Sequence, residues 1–148
     1  MLILPPPVWA LIYLAAAYGA SRLFDWRAIA DLKIAPLGIA LVVLGAGLTF
    51  WAIGLFRREG TEIMPNSPAN KRLVITGPFR FTRNPMYLGL VTATLGIAFW
   101  NGLIPYFAVP VLVILTTNSV HIPFEEAKMR RQFGAEYDDY CRRVRRWI

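Results

Sequence analysis

Two groups of residues in this chain have types and spacings that could do chemistry. The first is His121, Glu125 and Glu126, at the end of a long apolar run. Residues four apart on a helix share a face, so His121, the only histidine, and Glu125 can work on one group as acid and base. Adjacent residues point about 100° apart, so Glu125 and Glu126 cannot serve one atom as paired glycosidase carboxylates do. One can face a pocket while the other pairs with a basic neighbour. The plainer alternative is a helix-end contact, with both carboxylates paired to Lys128, Arg130 or loop arginines. The second group starts with Leu73-Val74-Ile75-Thr76-Gly77-Pro78-Phe79-Arg80, a β-branched run, a Gly-Pro turn and an aromatic. It leads into Arg83-Asn84-Pro85-Met86-Tyr87-Leu88-Gly89 at the mouth of another apolar run. Polar and aromatic groups gathered at such a boundary suit a binding loop, or interfacial anchoring alone. Cys141 is the single cysteine, which excludes an intrachain disulfide, and without clustered histidines no metal site is expected.

These groups are positioned by apolar elements. Of 148 residues, 56% are hydrophobic and 17% charged, and the mean hydropathy is +0.45, too apolar for an ordinary soluble domain. The formal charge of +7 does not indicate nucleic acid, because the basic residues sit between and after apolar runs. The pattern predicts an all-α integral membrane protein, one domain over residues 1–148, with four transmembrane helices near 8–24, 34–56, 86–100 and 103–122. Residues 34–56 contain no charge over 23 positions, enough to cross a bilayer at about 1.5 Å per residue. The first 21 residues lack Lys and Arg and include Pro5, Pro6 and Pro7, unlike a secretory signal, so this segment is expected to be retained. Asn101-Gly102 marks a tight turn between the last two spans. Pro105 and Pro110 predict a kinked first half of the fourth. In the second span Gly38, Gly45 and Ala52 recur every seven residues and give a face for close packing. Gly45-Ala46-Gly47 lies mid-helix, follows no strand and has Phe50 in place of a third glycine, so no dinucleotide site is read there.

Between the second and third spans lie 29 residues, Arg57 to Pro85, far more than a helix connection needs. This loop and the tail after Phe124 carry six and seven basic residues, so both are placed in the cytoplasm together with the N-terminus. In the tail Phe133, Tyr137, Tyr140, Val144 and Trp147 make an apolar stripe at helical spacing beside Arg142, Arg143, Arg145 and Arg146. Such a C-terminal amphipathic helix lies in the headgroup layer or packs on the protein's own cytoplasmic loop.

Taken together, Leu73-Val74, Gly77-Pro78-Phe79, Arg83 through Gly89, Glu125-Glu126, Phe133-Gly134-x-Glu136-Tyr137-x-x-Tyr140 and Val144 resemble the C-terminal signature of the isoprenylcysteine carboxyl methyltransferase family. The related phospholipid methyltransferases share parts of it. The resemblance covers about residues 57–147. It implies a membrane enzyme that uses S-adenosylmethionine, releases S-adenosylhomocysteine and has no Rossmann sheet. It puts the cofactor on Lys71, Arg72, Leu73, Val74, Phe79, Arg83, Asn84, Pro85, Met86, Tyr87 and Glu126, and the acceptor on His121 and Glu125. Asn84 stands where the family has histidine, and an amide can hydrogen-bond but not transfer protons. His121 stands where it has arginine, so a permanent charge gives way to a group that titrates near neutrality. The implied partners are membrane lipids and a lipid or isoprenoid substrate entering from the bilayer of the cytoplasmic membrane. A sulfonium methyl is already activated, so the protein has to exclude water and align the acceptor, without a metal. N-methylation of a phospholipid amine is the runner-up. A transporter or scaffold is the alternative of another class, disfavoured because the spans hold no buried ionisable pathway.

Overall fold

The computed structural model describes residues 4–60 and 72–148. Among these it contains helices and no strand: α1 (Pro6–Ser21), a short α2 (Trp26–Ile29), α3 (Ala35–Arg58), a 3-10 turn (Gly77–Arg80), α4 (Pro85–Asn101), α5 (Ile104–Thr116), a π segment (Thr117–His121), α6 (Ile122–Phe133) and α7 (Ala135–Arg143). The expected spans fall on α1, α3, α4 and α5. By length and composition, α3 and the continuous run Ile104–Phe133, 24 and 30 residues, can cross a membrane. At 16 and 17 residues, α1 and α4 are shorter than the usual span of about 20.

Proline opens five of these helices. α1, α3, α4, α5 and α6 each carry it in the first turn, and none has a side-chain cap. In an apolar setting each free N–H at a helix start is costly, and proline removes one while presetting φ. Glycine ends two of them. Gly102 (φ 75°) closes α4 with its N–H on Ala98 O, and Gly134 (φ 53°) separates α6 from α7.

The seven-residue face of α3 meets a matching face on α4. Gly38, Gly45 and Ala52 are buried, and Gly89 and Gly96 oppose them. A Cβ at Gly38 would lie 2.7 Å from Gly96 O, and one at Gly96 would lie 2.6 Å from Gly38 O. Thr49 stays within this seam, its Oγ1 donating to Gly45 O at 2.9 Å. On the other side of α4, Ala10 and Ala17 of α1 pack with Ala98, Tyr106, Val109 and Val113, and Tyr13 and Thr116 share a 2.6 Å hydroxyl hydrogen bond. Outward-facing side chains such as Leu11, Val43 and Phe50 are apolar and exposed.

Two expectations are corrected. Pro105 lies in the first turn of α5 and Pro110 within it, yet α5 stays regular; the irregularity follows it, at the π segment Thr117–His121. There Thr117 Oγ1 donates to Val113 O at 2.7 Å, taking up a backbone acceptor where the helix widens. The tail is not one helix to Trp147: Gly134 breaks its start, and Val144 is already extended. Its stripe packs on the protein's own loop, with Tyr137, Tyr140 and Val144 clustered on Leu73, Met129 and Phe133.

The seam predicts a sharp contrast within α3. Gly45→Val should destabilise the protein by about 2 kcal/mol or more, because the added methyls meet α4 backbone. Gly47→Ala, with nothing within 4 Å, should be neutral or up to about 1 kcal/mol more stable. Equilibrium unfolding in mixed micelles measures both; equal effects would mean the seam does not hold the helices together.

Candidate active site

The site forms where the start of α4, the junction of the π segment with α6, the loop before α4 and the tail meet. Burying a carboxylate there requires partners. Glu126, with its side chain 8% exposed, receives Arg83 Nη2 at 3.0 Å and Arg146 Nη2 at 2.7 Å. Arg146 Nε adds a 3.1 Å bond to Glu126 Oε1, and Nη1 reaches Asn118 Oδ1 at 3.1 Å. The hydrogen bond to Glu126 raises the pKa of Arg146 above its usual value, fixing the charged guanidinium.

The tail also holds the loop through its backbone. Arg83 N donates to Arg145 O at 3.0 Å, and Thr82 Oγ1 and Asn84 Nδ2 donate to Arg146 O at 3.2 and 2.9 Å. Tyr140 Oη donates to Phe79 O at 2.7 Å, anchoring the 3-10 turn on α7. Phe79 in turn stacks edge-on against Phe56 of α3, with ring centroids 5.2 Å apart.

These contacts enclose a cavity of about 100 Å³. Of the residues expected to meet a cofactor, Arg72, Leu73, Val74, Phe79, Arg83, Asn84, Pro85, Met86, Tyr87 and Glu126 all line it, and so does Glu125. Lys71 lies outside the described residues. Arg83 Nε has no partner among the described residues although it is buried. Tyr87 Oη donates to Glu125 Oε1, joining α4 to α6. His121 is buried but is not part of the lining. Its Nε2 bonds Leu4 O at 2.9 Å, its Nδ1 has no partner among the described residues, and its ring lies 6.3 Å from that of Tyr87. A carbonyl only accepts, so Nε2 carries the hydrogen in this contact.

Three lining residues, Tyr137, Tyr140 and Phe56, and the Glu126 partner Arg146 were not assigned to the site by the sequence reading. Tyr137 and Tyr140 were legible as a stripe, but the stripe does not say what it covers. Phe56 is one of many aromatics at helix ends, and Arg146 is one of four tail arginines, so nothing local distinguishes them.

With this geometry in view, comparison with known proteins gives the class. The chain belongs to the phospholipid methyltransferase family, whose model matches residues 34–136. It is 28% identical over 139 residues to the nickel-cobalt-cadmium resistance protein NccN of Alcaligenes xylosoxydans xylosoxydans, covering 93% of this chain and 59% of that one. It is also 28% identical over 115 residues to a probable protein-S-isoprenylcysteine O-methyltransferase of Oryza sativa, covering 75% and 59%. An uncharacterized protein of Haemophilus influenzae is 35% identical over 63 residues, 43% of this chain and all of that one. The chain thus spans about three-fifths of the length of the first two relatives. No solved structure matches it. Family and membrane-length helices together make this a helical membrane protein.

The Glu126 network predicts the stability of this end of the molecule. Glu126→Ala should cost about 3–5 kcal/mol, because Arg83, 13% exposed, is left without its counter-charge. Arg130→Ala, which removes a half-exposed pair with Asp138, should cost under about 1 kcal/mol. Thermal unfolding in detergent distinguishes the two, and similar small losses would show that the network does not hold the tail.

Proposed function

We propose that this chain is an S-adenosylmethionine-dependent methyltransferase acting on a lipid-borne acceptor. The observation that carries this reading is the convergence of the ten described cofactor-motif residues on one cavity at the end of membrane-length helices. The residues fit the cofactor: Phe56, Phe79 and Tyr87 offer apolar and aromatic walls for an adenine, and the unpartnered Arg83 Nε offers a donor for the amino-acid carboxylate. The cavity is smaller than the ~300–1,000 Å³ of small-molecule sites, so binding moves part of its wall. Bound S-adenosylmethionine supplies a methyl group already activated on a sulfonium. The protein then has to exclude water and orient the acceptor. Tyr87 holds the Glu125 carboxyl in place by its hydrogen bond, and Pro85 and Met86 add apolar wall to the cavity.

Two acceptors have support. Isoprenylcysteine-type carboxylate O-methylation is supported by the resemblance and by the name of the rice relatives. It asks His121 to be protonated, taking the place of an arginine. Methylation of a phospholipid amine is supported by hydrogen bonding. With Nε2–H on Leu4 O, a neutral His121 presents Nδ1 as a buried acceptor, and with Glu125 it suits an N–H donor.

Protein in lipid given methyl-labelled S-adenosylmethionine should label a lipid: a base-labile ester supports the carboxylate, a headgroup amine the amine. Tyr87→Ala and Phe79→Ala should each weaken S-adenosylhomocysteine binding about tenfold or more by calorimetry. Unchanged affinity in folded protein would remove both from the cofactor site.

We further propose a multi-pass protein of the cytoplasmic membrane, with four spans and both termini in the cytoplasm, on the strength of the basic loop and tail. A cysteine replacing the exposed Ile148, in a Cys141→Ser background, should react with a membrane-impermeant maleimide only in inside-out vesicles. Labelling in intact cells would invert the topology.

A further inference from the structure

A second cavity, of about 420 Å³, lies at the opposite end of the helices, where α1 ends, α2 folds back and α4 turns into α5. The 17 residues of α4 put it about 25 Å from the cleft, too far to share an occupant's reacting group. Its wall is built and tied down. Trp26 Nε1 donates to Ala20 O at 2.9 Å, Leu32 N to Gly102 O at 2.9 Å, and Asn101 Nδ2 to Ile97 O at 2.9 Å.

Three features of the lining point to a ligand. Tyr106 is buried, 7% exposed, and its hydroxyl has no hydrogen-bond partner among the described residues. Its oxygen is not sealed away from the cavity, so the hydroxyl is free to donate to a ligand held there. Arg22 and Arg27, also in the lining, form no ion pair among the described residues. Asp25 lies in the same wall, likewise without an ion pair. Two guanidiniums and a hydroxyl suit a phosphate, and a neighbouring carboxylate suits a cation carried with it. The cavity stands where apolar helices end, the level at which headgroups lie.

We propose that this cavity binds the headgroup of a zwitterionic phospholipid, with Arg22, Arg27 and Tyr106 on the phosphate and Asp25 on the headgroup ammonium. Native mass spectrometry of purified protein titrated with phosphatidylethanolamine or phosphatidylglycerol tests it. One phosphatidylethanolamine should be retained about tenfold more tightly than phosphatidylglycerol, and the paired change Arg22→Gln with Arg27→Gln should weaken it about tenfold. Tyr106→Phe, which keeps the ring packing, should weaken it several-fold, and Asp25→Asn should abolish the preference between the lipids while retaining binding. Unaltered thermal unfolding of the variants shows that they are folded. Equal retention of both lipids, unaffected by the variants, would overturn the proposal and leave only interfacial anchoring by Tyr18 and Trp26. Displacement of the lipid by millimolar inorganic phosphate would overturn it as well, making a soluble phosphate the occupant.

Discussion

A carboxylate buried at the end of a membrane-length helix organises this molecule. Burying the Glu126 carboxylate requires counter-charges, and the two it has come from remote parts of the chain, Arg83 before α4 and Arg146, two residues before Ile148. Satisfying one charge therefore draws the loop and the tail onto the start of α6. Once there, the backbone of Arg145 and Arg146 accepts from Arg83, Thr82 and Asn84, so the tail also serves as the missing partner for loop groups. The cleft is the space left between these three segments.

The helices beneath it solve a different problem. Between apolar segments in lipid there is little hydrophobic gain from association, so contact depends on close packing. Gly38 and Gly45 on α3 against Gly89 and Gly96 on α4 bring the two backbones together without side chains between them. This fixes the start of α4 beside the end of α3, and with it Tyr87 beside the Phe56–Phe79 pair. The π segment ends α5 with a change of helical phase and sets His121 against Leu4 while Glu125 reaches Tyr87. Rigid packing of the apolar helices thus supports a polar site assembled at their ends.

Much of this was legible in the sequence. The uncharged run from Ile34 to Phe56, the Asn101-Gly102 turn and the seven-residue spacing of small residues are local signals with local causes: hydropathy, a positive φ and the absence of a side chain. The matching pair Gly89 and Gly96 shows the same spacing and could have been read in the same way. The ordered motifs from Leu73 to Gly89 and at Glu125-Glu126 marked the cleft because their residues are close in sequence.

The tertiary structure decided everything that depends on distant pairing. Nothing near Arg146 distinguishes it from Arg142, Arg143 or Arg145; only a buried carboxylate 20 positions away makes it an inward residue. The aromatic stripe of the tail fits a headgroup layer or a protein surface equally well by periodicity, and the Tyr140 bond to Phe79 O decides for the latter. Proline at position 110 suggested a kink, but a proline breaks a helix only if the freed carbonyl and the ring cannot be accommodated, which depends on the neighbouring helices. Charge and periodicity are properties of segments and can be read one segment at a time. The partners of a buried charge, and the place where a helix yields, are properties of the packed whole.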